Sequence, residues 1–282
     1  MVTPRLHVGR GEPLLLLHPF ATSWHAWRGV AERLADAFEI VAPTLPGHWG
    51  GPPVQLEGRG LGDAVRLLAD AAERELDEAG WASAHVAGNS LGGMLALELG
   101  RRGRARTVTA IAAAGGWKPR SAAERSVAVW FGSRLPLIKI APRMRPALRV
   151  PSVRNLFLRD VCEHPERVSE VDAEAFFSAV SACELYRVRA LLRLRKGVLP
   201  ALDGITCPVR FVYCERDRLV PYPVYAERFV AALPDARHEV LPDVGHVPML
   251  EAPERIAAIV REHATGVRAV ADTGAHANAA VA

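Results

Sequence analysis

Val86-Ala87-Gly88-Asn89-Ser90-Leu91-Gly92-Gly93 sets one serine on a glycine-flanked turn, between the apolar run Ala84 to Ala87 and the helix-like Leu91 to Arg101. A strand that passes straight into a helix at such a serine bends so sharply that the residues two before and two after it have no room for side chains. Gly88 and Gly92 meet that demand. The turn would expose a hydroxyl at a strand end, as a nucleophile requires. The plain alternative is a tight strand-helix junction with an idle serine, and the flanking elements and partner residues decide between them.

Length and composition bound the answer. A chain of 282 residues suggests one domain with a sizeable insertion, or two domains. Half of it is hydrophobic and 23% is charged, a globular balance. The longest early apolar run, Leu14 to Leu17, is far short of the ~20 residues of a membrane span. Met1 to Leu6 has no basic segment leading into a long apolar stretch, so no secretory signal and a cytoplasmic location are expected. Cys162, Cys183, Cys207 and Cys214 form no Cys-x-x-Cys pair and no zinc-like cluster with histidine, and read as reduced packing residues. Gly58-Arg59-Gly60-Leu61-Gly62-Asp63 begins like a dinucleotide fingerprint. It ends in aspartate, however, and follows no strand. No cofactor and no metal are expected.

Apolar, β-rich runs near Arg5 to Val8, Leu14 to Leu17, Glu39 to Ala42, Ala84 to Ala87, Thr107 to Ala112, Val209 to Tyr213 and His238 to Leu241 alternate with helical patterns. Those patterns cover Trp24 to Ala37, Asp63 to Ala79, Leu91 to Arg101, Pro223 to Ala232 and Pro253 to His263. Continuous rather than alternating apolar runs suit strands covered on both faces. The pattern predicts an α/β fold with a mainly parallel central sheet flanked by helices.

That rhythm breaks after Ala112. The spacing there predicts helices such as Ala122 to Phe131 and Asp172 to Arg195 and no strand, so residues 117–200 read as a helical lid inserted into a core of 1–116 and 201–268. The insertion holds sixteen Lys and Arg against eight Asp and Glu, net +8, which leaves −4 on the rest of a chain of formal charge +4. Such asymmetry fits a solvated basic surface, attraction of an anionic substrate, or contact with an acidic membrane surface. Few aromatics interleave with these arginines, so no nucleic-acid partner is expected. The last residues, 269–282, are expected to be a disordered tail.

A serine hydroxyl needs a base within hydrogen-bond reach, and that base needs an acid to fix its tautomer. Asp217 follows the run Val209 to Tyr213, and His246 follows His238 to Leu241. Both therefore fall just beyond strand C-terminal ends, which share one edge of a parallel sheet with Ser90. Glu215 and Asp243 are rival acids.

Gly88-Asn89-Ser90-Leu91-Gly92-Gly93, Glu215-Arg216-Asp217-Arg218-Leu219-Val220-Pro221, Gly245-His246, Leu45-Pro46-Gly47-His48 and Leu17-His18-Pro19-Phe20 together resemble the α/β-hydrolase fold family, over about residues 5–265. The order serine, aspartate, histidine is that family's order. The resemblance implies Asp217 as the acid and His246 as the base. It implies an oxyanion hole from the Leu91 amide and from the loop position that matches Phe20. Pro19 departs from the usual His-Gly-x of that loop, without deleting the donor expected at Phe20. His18 reads as a loop brace.

The implied activity is that of a serine hydrolase acting on a small or medium carboxylic ester or lactone through an acyl-enzyme. The partner would be a small-molecule substrate, anionic or acyl-bearing, with no stable membrane span. Carbon-carbon bond hydrolysis of a diketone-like acid is the rival enzyme reading, since Gly-Asn-Ser-x-Gly-Gly resembles that of such enzymes as well. A non-hydrolytic receptor or a biosynthetic cyclase on the same fold is the rival from another class, and an intact serine-histidine-aspartate set argues against it.

Overall fold

A computed structural model describes residues 3–54, 61–144, 147–187 and 199–279. Its seven strands are β1 (Arg5–Gly9), β2 (Glu12–Leu17), β3 (Phe38–Pro43), β4 (Ala84–Asn89), β5 (Ala105–Ile111), β6 (Val209–Cys214) and β7 (Arg237–Leu241). Each grows from one of the apolar runs in the sequence. They form one sheet in the order β1-β3-β2-β4-β5-β6-β7. Every neighbouring pair is parallel except β1 with β3.

Described helices are α1 (Arg28–Leu34), α2 (Leu61–Glu78), α3 (Leu91–Arg101), α4 (Ala122–Met144), α5 (Pro151–Leu158), α6 (Glu170–Ala182), α7 (Glu184–Arg187), α8 (Glu227–Ala232), α9 (Pro248–Glu251) and α10 (Pro253–Ala279). All six residues of β4 are buried, and so are Leu14 to Leu17 of β2, because α2 packs with α3 and α1 packs with α10 to cover the sheet. Successive strand residues point to opposite faces, so unbroken burial means that both faces are covered.

The register places the chemistry. Leu17 pairs with Gly88, Asn89 with Ile111 and Cys214 with Leu241, so the parallel strands end at one edge. The loops after β2, β4, β6 and β7 all leave from that edge. They carry His18 to Phe20, Ser90, Asp217 and His246.

Several elements differ from the sequence expectation. Trp24 to Ala37 divides into a 3-10 turn, Trp24–Trp27, and then α1. The helix expected over Asp172 to Arg195 starts at Glu170, capped by Ser169, whose side chain accepts a hydrogen bond from the Asp172 amide. It breaks at Cys183, whose backbone is extended. There the chain turns to dock on the loop after β3, through Glu184 N–H to the Gly47 carbonyl at 3.1 Å. Residues 188–198 lie outside the described residues, as do 55–60 with the start of the glycine-rich stretch. α10 continues to Ala279, well past the point where the apolar pattern fades, and residues 280–282 lie outside the described residues. Alanine is the best helix former and one glycine costs a helix only about 1 kcal/mol, so this composition can carry a helix without an apolar stripe.

At the sheet's far side Arg210 of β6 is 2% exposed. Its guanidinium grips Glu239 of β7 with two 2.9 Å hydrogen bonds and Glu262 of α10 at 3.0 Å. Removing one member of a buried ion pair leaves a stranded charge. Arg210→Ala should therefore cost about 2–4 kcal/mol in urea unfolding, with the remaining exposure of both carboxylates keeping the loss near the lower end.

Candidate active site

The site starts from a strained residue. Ser90 sits between β4 and α3 at φ 55°, ψ −112°, a left-handed conformation unusual for any residue but glycine. The surroundings hold it there. Ser90 N–H donates to the Ile111 carbonyl at 2.9 Å, and the Ser90 carbonyl accepts from Ala114 N–H at 3.0 Å. A Cβ on Gly88 would lie 2.1 Å from the Gly92 carbonyl oxygen, and one on Gly92 would lie 2.0 Å from that of Leu17. Both glycines are thus required by backbone contact, for the reason the sequence suggested.

Asp217 and His246 come together in the loops after β6 and β7. One carboxylate oxygen, Oδ1, accepts hydrogen bonds from the Leu219 and Val220 amides, each at 2.8 Å. The other, Oδ2, accepts from His246 Nδ1 at 2.7 Å. A carboxylate only accepts, so Nδ1 carries a proton and donates it to Asp217, leaving Nε2 out of that contact. Asp217 is 5% and His246 3% exposed, which strengthens the charge-assisted bond between them. The rival acids face elsewhere: Asp243 binds His164 Nε2 at 2.9 Å, and Glu215 accepts from the Asp243 amide. Asn89, fully buried, donates from Nδ2 to both the Ile111 and the His246 carbonyls at 3.0 Å, while its Oδ1 has no partner among the described residues.

Ser90, His246 and Phe20 line one cavity of about 840 Å³ including its open mouth. Leu91 is the first residue of α3, where amides have no intrahelical acceptor and the helix dipole favours negative charge. The loop carrying Phe20 is braced as expected. Leu45 N–H donates to His18 Nε2 at 2.9 Å, so His18 carries its proton on Nδ1 and donates to the Pro19 carbonyl at 2.8 Å. Thr22 Oγ1 donates to the same carbonyl at 2.9 Å. Burial, and secondarily the neighbouring His48, holds the His18 pKa well below the ordinary imidazole value. Burial likewise pushes His48 down to about 4.

The cavity wall is built by residues that no sequence motif marked. Phe131 from α4, Phe157 from α5, and Phe176 and Phe177 from α6 face it, together with Trp130. Trp130 is the one tryptophan among the described residues that line this cavity. At the same wall the Arg134 guanidinium stacks over the Trp130 ring, 4.7 Å from its centroid, and binds Asp160 through two 2.9 Å hydrogen bonds. A sequence signal existed only in retrospect: these aromatics recur on helices that needed a hydrophobic face.

Comparison with known proteins agrees with this architecture. The family model described as "Alpha/beta hydrolase family" matches residues 14–259, and the chain belongs to that family. Epoxide hydrolase EphH of Mycobacterium tuberculosis is 40% identical over 196 residues, which are 69% of this chain and 92% of the relative. Pimeloyl-[acyl-carrier protein] methyl ester esterase of Aromatoleum aromaticum is 27% identical over 263 residues, 90% of this chain and 98% of the relative. A thermophilic esterase from Thermogutta terrifontis has the same fold, with a TM-score of 0.67 at 22% identity over 92% of this chain and 91% of its own. The chain is a hydrolase. No described helix is long and apolar enough to cross a membrane, and no cluster of metal-ligating side chains occurs among the described residues.

Two outcomes follow from the geometry. Gly92→Ala, which drives a Cβ into a backbone carbonyl of β2, should destabilise the fold by on the order of 3 kcal/mol. Gly103→Ala, at φ 73° with open space around it, should cost about 1–2 kcal/mol for the left-handed backbone alone. Thermal unfolding of the pair checks the contrast. The second outcome concerns pH. His18 and His48 are neutral in the fold, while in the unfolded chain they take up protons below about 6.5. The unfolded state then binds more protons, so stability should fall as pH drops from 6.5 towards about 4. His48→Gln should flatten that slope in urea titrations across the same range.

Proposed function

We propose that the chain is a serine hydrolase that cleaves an uncharged carboxylic ester or lactone through an acyl-enzyme. The 2.7 Å hydrogen bond from His246 Nδ1 to the anchored Asp217 carboxylate carries this reading, because it leaves Nε2 as a base in a cavity shared with Ser90. Ser90 Oγ adds to the substrate carbonyl as its proton passes to His246 Nε2, and Asp217 stabilises the imidazolium. The Leu91 and Phe20 amides hold the oxyanion, each such donor contributing on the order of 3 kcal/mol. Collapse expels an alkoxide, which takes the proton from His246. Water, deprotonated by the same imidazole, attacks the acyl carbon, and the acid departs as Ser90 regains its proton. The helices between β5 and β6 serve as the lid that keeps bulk water from the acyl group.

The substrate class follows from the wall. Its aromatic side chains suit an apolar acyl group. Arg134 is the one Lys or Arg among the described residues that line the cavity, and Asp160 neutralises it. An anionic diketone-like acid would have to compete for that arginine, so the net positive charge of the insertion gives it little help.

A second reading, epoxide opening, draws on the 40% identity to an epoxide hydrolase. The chemistry disfavours it. Attack by Ser90 Oγ on an epoxide carbon would form an ether, which offers water no carbonyl to attack and would leave the enzyme blocked. Turnover would instead need water activated directly by His246.

Hydrolysis of p-nitrophenyl butyrate, the p-nitrophenyl half-ester of a dicarboxylic acid and styrene oxide separates these readings. The butyrate should be turned over at least tenfold faster than the half-ester, with no diol from styrene oxide. Ser90→Ala should lower ester kcat by about a thousandfold or more and abolish labelling by a fluorophosphonate. Undiminished ester turnover in Ser90→Ala would refute the assignment, and diol formation by that variant would favour the epoxide reading.

A further inference from the structure

We propose that Glu251 is a positioning residue that ties the helical insertion to the loop carrying His246. The inference rests on the reading of His246 as the base. Glu251 ends α9, is 3% exposed, and forms no ion pair among the described residues. Its charge is satisfied by backbone amides instead. Oε1 accepts from Gly245 N–H at 2.7 Å and from Glu163 N–H at 3.2 Å, and Oε2 accepts from His164 N–H at 2.6 Å.

These donors belong to two different segments. Gly245 immediately precedes His246. Glu163 and His164 follow α5 within the insertion, three residues beyond Asp160 and Val161 respectively, which line the substrate cavity. The two segments also touch directly, with Val247 N–H donating to the Val161 carbonyl at 2.9 Å. A Cβ on Gly245 would stand 2.8 Å from that same carbonyl oxygen, so only glycine lets them approach.

A buried carboxylate without a cation is tolerable only while its hydrogen bonds are made. Any shift of residues 159–164 with the helices above them removes two of the three donors and leaves the charge underserved. The position of the insertion and that of Gly245 are therefore energetically linked through one side chain. When the insertion sits closed over the cavity, Glu251 holds the His246 loop in register with Ser90; when it moves away, that hold weakens.

Glu251→Gln tests this, because the amide keeps the volume but turns an NH₂ group towards a backbone N–H. The first readout needs no substrate: the low-field proton NMR signal of the His246 Nδ1–H bonded to Asp217, assigned by its loss in His246→Gln. In Glu251→Gln it should shift and exchange at least tenfold faster with solvent. The second readout is kcat for p-nitrophenyl butyrate per fluorophosphonate-reactive site, which should fall at least tenfold. Glu251→Asp, which keeps the charge but shortens the reach, should lie between the variant and wild type on both scales, and it serves alone where Glu251→Gln does not fold. A folded variant with an unchanged Nδ1–H signal and a per-site kcat within twofold of wild type would overturn the proposal. Failure of the serine-hydrolase reading has a different mark: wild-type protein that resists the fluorophosphonate while the Nδ1–H signal still responds to Glu251.

Discussion

The contact between the Gly92 position and the Leu17 carbonyl is the constraint from which the rest of the site follows. α3 can begin directly after β4 only if its first turn lies against the end of β2, and a methyl group at residue 92 would close that gap. The approach forces Ser90 into a left-handed conformation, and hydrogen bonds from β5 and the segment after it keep it there. Local strain of this kind survives only where the surroundings over-determine it. Here the surroundings are the centre of a sheet whose two faces are both covered.

Around that fixed serine the remaining groups are arranged by polar contacts of graded rigidity. Asp217 is held by two amides of its own loop before it touches His246, so its carboxylate is set independently of the imidazole. The loop bearing Phe20 is held by a neutral, buried His18 that donates to Pro19 and accepts from Leu45. Proline at position 19 fits this scheme, since its carbonyl is the acceptor used and its missing N–H is not called upon. The apolar wall contributed by α4, α5 and α6 is the part least tied to the sheet. Arg134 with Asp160 joins α4 to the segment after α5, and Asp172 of α6 pairs with Arg28 of α1 at 2.8 Å.

Much of the fold was legible because burial on both faces leaves continuous apolar runs, and all seven strands arise from such runs. Ser90, Asp217 and His246 were legible because each follows a strand and because glycine spacing around the serine has a steric cause. The cavity wall was not. Phe157, Phe176 and Phe177 lie on helices where an aromatic facing a pocket and one facing a core obey the same periodicity. The break at Cys183 was hidden because it is fixed by a distant acceptor, the Gly47 carbonyl, and by no local turn residue. Glu251 gave no signal either: a lone glutamate after the apolar Val247 to Leu250 reads as a solvated helix-end charge, and its burial depends on amides brought in from residues almost ninety positions away.

Asn89 adds a dynamic consequence. Its amide spans from the last residue of β5 to the carbonyl of His246, so the residue next to Ser90 grips the backbone of His246. A displacement at the end of β4 would therefore carry the backbone of residue 246 with it.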